Sequence, residues 1–248
     1  MEPVSAAAGS AGVARLRCSA RPAVGWLMLE LTPTMHSTLI STTKELKAHA
    51  PFTVMGTLTG VAIMLVMLWV RVPPAVSQSL FTVFHPVHVL FSALATTAMY
   101  RRHGRGSIAV TILIGYVGSI GIATLSDCII PYVGEHLLGL PNRGAHVGFI
   151  EEWWLVNPLA AVGIAVACFR PTTKLPHAGH VLLSTWASMF HMTMALGDDF
   201  GMLTIVAIAL FLFLAVWIPC CTSDIALPLL FARDKTQLGE SGDLIAKR

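Results

Sequence analysis

The chain has 248 residues, 55% of them hydrophobic and only 12% charged, with a mean hydropathy of +0.72. Soluble domains carry about 25% charged residues, which excludes a water-soluble globule, and five cysteines in this length are too sparse for a disulfide scaffold. The net charge of +3 comes from 16 basic and 13 acidic residues. The basic residues gather between apolar runs rather than in a phosphate-binding stripe, so no nucleic-acid partner is expected.

In chain order, residues 1–23 are rich in Ala, Ser and Arg and lack the apolar core of a secretory signal. They are expected to form a disordered tail, an organellar transit peptide being the lesser reading. Residues 24–50 mix apolar and polar positions in the manner of an interfacial helix. Six apolar segments follow, at 52–70, 80–100, 108–130, 153–169, 177–196 and 202–220. Each is near the ~20 residues needed to cross a hydrocarbon core, and apolar residues cover all of its faces. Residues 134–152 form a loop and residues 231–248 a polar tail.

The basic residues orient these spans. If the N-terminus is inside, 14 of the 16 Lys and Arg fall on the inner side and only Arg71 and Arg143 on the outer. Cytoplasmic loops carry such an excess, so both termini are expected inside. The membrane is expected to be a bacterial inner (plasma) membrane, with an organellar membrane as the alternative.

Two sequence blocks recur. HPVHVLFS at 85–92 and HAGHVLLS at 177–184 share five of eight residues, and SDCIIP at 126–131 is echoed by SDIALP at 223–228. The first His and the Asp are 42 residues apart in one half and 47 in the other. Residues 51–133 and 153–230 therefore read as two copies of a three-span unit. An odd number of spans makes the second copy enter the membrane inverted. The expected fold is all-α and integral to the membrane: six transmembrane helices as a 3+3 inverted repeat, with the first His/Asp set toward the outer face and the second toward the inner.

Ionisable groups inside a bilayer are costly and call for partners. A His-x-x-His pair presents two imidazoles on one helix face, and a carboxylate from another helix completes a three-ligand set. Two metal sites are thus expected, His85/His88/Asp127 and His177/His180/Asp224. His191, Glu151 and Glu152 add ligand atoms on the outer side. Imidazole and carboxylate together suit a divalent transition metal such as zinc, while His beside Asp also suits a proton relay. The competing structural reading makes these residues helix caps and hydrogen-bonded packing groups.

The leading function is a small secondary transporter or exchanger of a divalent metal cation or protons. A membrane-embedded metal-dependent hydrolase is the alternative, with zinc on His85, His88, His191 and Asp127 and with Glu151 or Glu152 as general base. A haem b-binding or structural subunit of a membrane complex comes third. The expected partners are the lipid bilayer, a metal ion or proton, and a homo-oligomer or larger membrane complex.

Overall fold

A computed structural model describes Lys47 and residues 50–103, 107–171, 174–197 and 201–231, without the side chains of 174–177 and 221–231. The expected tail at 1–23, all but the first residue of the tail at 231–248, and most of the interfacial helix at 24–50 lie outside the described residues. The described residues belong to one compact unit, Thr38–Arg248. They form helices and no strand: α1 (Ala50–Val70), α2 (Pro74–His103), α3 (Ile108–Thr124), a π-helical turn (Leu125–Ile129), α4 (Ile130–Leu137), the single turn α5 (Gly148–Glu151), α6 (Trp153–Phe169), α7 (Lys174–Ala195) and α8 (Met202–Phe231).

Four helical stretches among the described residues are long and apolar enough to cross a membrane: Ala50–Val70, Pro74–Arg102, Ile108–Leu137 and Met202–Cys220. The fold is therefore that of a membrane protein, with four such stretches where six were expected. The two that fall short do so for different reasons. α6 has 17 residues and is simply short. α7 is long enough, but its buried side carries His180, Ser184, Thr185, Ser188, His191 and Thr193, which lower its apolar content.

The distribution of polarity is the reverse of a soluble protein. Trp69 is 86% exposed, Leu203 83% and Leu113 60%, while His85, His88, Asp127 and Ser184 are buried. Exposed apolar area on this scale is tolerable only against lipid or a partner, and the interior polar groups must then satisfy one another.

α2 is the centre of the bundle and packs against α3, α6, α7 and α8. It runs antiparallel to α7: Phe81 lies against His191, Phe84 against Trp186 and Phe190, and His88 against His180. On its other flank, Gly163 lets α6 approach so closely that a Cβ there would run into the Leu90 carbonyl.

α1 ends in a paired turn. The Val72 N–H reaches the Met67 carbonyl at 2.9 Å and the Arg71 N–H the Leu68 carbonyl at 3.1 Å. This closure needs a left-handed residue and normally uses glycine, yet here it is Arg71, with φ of 58°.

Candidate metal centre

Pro131 shapes the site from within the third span. It has no N–H to return to the carbonyl four residues earlier, and its ring crowds that carbonyl. The residue four earlier is Asp127. The helix widens there into the π turn, with the Ile130 N–H bonding the Leu125 carbonyl. Asp127 emerges with both its side chain and its carbonyl directed at neighbouring helices.

The Asp127 carboxylate is fully buried and densely partnered. Oδ2 receives His88 Nδ1 at 2.6 Å and His85 Nδ1 at 3.0 Å. Oδ1 accepts from the hydroxyls of Ser126 and Ser184, each at 2.7 Å, with Ser188 farther off at 3.5 Å. Three elements thus converge: α2 supplies the imidazoles, the π turn the carboxylate, and α7 the supporting hydroxyls.

His85, His88 and Asp127 form a buried group that could hold a metal ion, their ligand atoms lying within 4.8 Å of one another. Donors around a tetrahedral zinc, at about 2.0–2.1 Å from it, sit about 3.3 Å from each other. Opening the observed 2.6 and 3.0 Å by less than about 1 Å would admit such an ion. The serine bonds to Oδ1 are contacts that would orient the carboxylate if it held a metal. His85 Nε2 is buried with no hydrogen-bond partner, an orphan whose lone pair or proton the protein leaves unused.

The remaining candidates are placed differently. His180 stacks on His88, ring centroids 5.9 Å apart and planes 11° from parallel. These two histidines therefore share one level of the bundle, whereas the sequence reading put them toward opposite faces. The side chains of His177 and Asp224 lie outside the described residues, so the second set is seen only through His180. The Cys220 thiol is 4.0 Å from His88 Nε2 and 3.5 Å from Ser184 Oγ.

His191 is buried but turned away from the ligand set. Its Nδ1 is 2.7 Å from the Asp127 carbonyl and its Nε2 3.0 Å from the Gly144 carbonyl. Both nitrogens are turned to backbone carbonyls, so the ring stands outside the His85/His88/Asp127 group. A neutral ring satisfies one of these carbonyls and a protonated ring both. Glu135 Oε1, 3.7 Å from Nε2, is the carboxylate that would balance the added charge.

Glu151 is exposed and reaches His146, with Oε2 3.5 Å from Nδ1; it does not join the group. Glu152 is nearly buried just before α6. Burial pushes its carboxyl above the usual range, against the opposing influence of Thr82 and His85. Gly148 of α5 closes the site from this side, since a Cβ there would fall against the His85 ring.

Sequence reasoning missed Ser188 and the Gly144 carbonyl as parts of the assembly. Ser126 and Ser184 were visible only as letters inside the repeated blocks. Their membership of those blocks beside His and Asp was the available signal. Comparisons with protein-family models, curated proteins and solved structures give no match to this chain.

Proposed function

We propose that this protein is a membrane-embedded carrier of a divalent transition-metal cation, coordinated by His85, His88 and Asp127. The buried three-residue group within one bundle of apolar helices carries this reading. Ligand-type side chains continue on both sides of it. His146 and Glu151, half-exposed, adjoin His191, whose Nδ1 contacts the Asp127 carbonyl. Beyond His88 lie His180 and Cys220. A column of such groups suits stepwise passage of a cation.

The six-span inverted repeat with both termini inside belongs to the same proposal. It is supported by the antiparallel pairing of α2 with α7, which brings the motif-matched His88 and His180 face to face. Residues related by a two-fold axis meet in this way where the axis passes. The Ser184 hydroxyl serves Asp127, and its motif counterpart Ser92 is buried with no hydrogen-bond partner. A second site at His177, His180 and Asp224 would give Ser92 the matching role. The setting we propose is a bacterial plasma membrane or an organellar one.

Elemental analysis of purified, zinc-exposed protein tests the centre. Wild type is expected to retain metal, His88→Ala to lose an equivalent, and His180→Ala to lose one if the duplicated site exists. Uptake of zinc into proteoliposomes, read by an internal zinc-sensitive dye, tests transport. Metal-free wild type, or His88→Ala with unchanged metal content, refutes the centre.

One observation favours a metal-dependent hydrolase as the second reading. Glu152 is a nearly buried carboxyl that burial holds above its usual range, with His85 among the groups that act on it, and this supports a general base beside the ligand set. That reading requires metal-loaded protein that moves no zinc and a hydrolytic activity lost in Glu152→Gln.

A further inference from the structure

At the end of the bundle where α1 and α7 terminate and α2 begins lies a cavity of about 720 Å³, none of whose lining residues belongs to the His85/His88/Asp127 group. Met67, Leu68 and Val72 give it apolar walls at the end of α1, and Leu196 adds another after α7. Arg71, Ser77, Asn142 and Thr193 supply its polar side, and of these the Asn142 amide already donates to the Leu196 carbonyl and the Thr193 hydroxyl to that of Met189. Ser77 is 1% exposed, and its hydroxyl has no hydrogen-bond partner. Burying an unpaired hydroxyl is unfavourable, so this side chain calls for a ligand that accepts its proton.

Three donors of one polarity meet at this cavity. Arg71 offers its guanidinium from a left-handed position where glycine would be the less strained choice. Ser77 offers its hydroxyl. The first turn of α2 begins at Pro74, also on the cavity wall, and carries no acidic residue. The start of a 30-residue helix is the positive end of its dipole. On the adjoining surface Trp69 and Val70 are exposed, which sets the cavity beside lipid-facing chain.

We propose that this cavity binds an anionic phospholipid. The phosphate sits against Arg71, the Ser77 hydroxyl and the first turn of α2, and an acyl chain runs along Met67, Leu68 and Val72. The proposal is independent of the metal centre. It acquires an added meaning if the hydrolase reading holds, because Phe81, one turn deeper than Ser77 on α2, stacks on His85.

Native mass spectrometry of the full-length protein in detergent tests it, with phosphatidylglycerol, diacylglycerol or inorganic phosphate added. Phosphatidylglycerol is expected to reach half occupancy at about tenfold lower concentration than diacylglycerol, as charge-assisted contacts to one phosphate allow. Arg71→Gly and Ser77→Ala should each remove most of that advantage. Neither should lower the melting temperature, because glycine suits the turn and alanine removes an unpaired buried hydroxyl. Equal retention of both lipids, or retention unchanged in both variants, overturns the proposal. So does a loss of lipid that is matched by a lower melting temperature in both. Inorganic phosphate that displaces the lipid with the same dependence on Arg71 and Ser77 overturns lipid as the occupant.

Discussion

Replacing Asp127 separates a metal ligand from a packing group, provided that two different substitutions are compared. Asp127→Ala removes an acceptor that holds two imidazoles at 2.6 and 3.0 Å and two hydroxyls at 2.7 Å. A hydrogen bond to a charged group is worth about 1.5–3 kcal/mol, and removing one partner of a buried charged cluster typically costs about 3–5 kcal/mol. The alanine variant is expected to lose about that much stability. Asp127→Asn behaves differently. Its amide oxygen can accept from both imidazoles while its amino group donates to the hydroxyls of Ser126 and Ser184, which rotate to accept. Four contacts survive and a buried charge disappears, so the expected loss is only about 1 kcal/mol. The asparagine variant should nonetheless lose its zinc, since a neutral amide is a poor ligand beside two imidazoles. Equilibrium unfolding in mixed micelles gives the stabilities, and elemental analysis gives the metal. Asp127→Ala within about 1 kcal/mol of wild type would refute the network. Asp127→Asn with a full metal complement would refute ligation by the carboxylate.

Two more predictions follow from residues that flank the group. Because burial holds the Glu152 carboxyl above its usual 4.5, its contribution to stability is fullest below that pH and is lost as pH rises through the elevated value. The stability of Glu152→Gln relative to wild type should therefore grow as pH rises above about 4.5, and pH-dependent unfolding that runs parallel for the two proteins would contradict this. At Gly148, a methyl group would press on the His85 ring. Gly148→Ala should cost about 1–3 kcal/mol by overpacking and weaken zinc binding, as read by competition with a chelator; unchanged affinity would show that His85 does not need its present position.

Much of this architecture was legible in the sequence, and what was not has a common cause. The apolar runs identify α1, α2, α3 and α8 because lipid contact demands hydrophobicity along a whole span. The spacing of His85 and His88 identifies a shared helix face because helical geometry is local. Asp127 could be joined to them only through the recurrence of the two blocks. Contacts between helices leave no local period. Ser188 lies 62 residues from the Ser126 carbonyl it bonds, and His191 lies 64 from Asp127. His191 looked like a ligand because it is a histidine in the outer half of its span; only the packed structure shows carbonyls at both nitrogens. By sequence α7 reads as a lipid-crossing run like the others, yet its Ser184, Ser188 and His191 are residues that contact Asp127.

The Asp127–Pro131 spacing has a consequence for how the bundle forms. Pro131 leaves the Asp127 carbonyl without the amide that would normally complete its helical bond, and His191 of α7 supplies a proton donor in its place. The hairpin-distant α7 thus finishes the backbone hydrogen bonding of the third span, so the two cannot reach their native states separately. Inside a bilayer, where an unmet carbonyl costs several kcal/mol, that makes the docking of α7 and the consolidation of the π turn a single cooperative step. The residue that presents the carboxylate is set in place only when the helix bearing Ser184 and Ser188 has arrived, so an incompletely assembled bundle presents no finished group that could hold an ion.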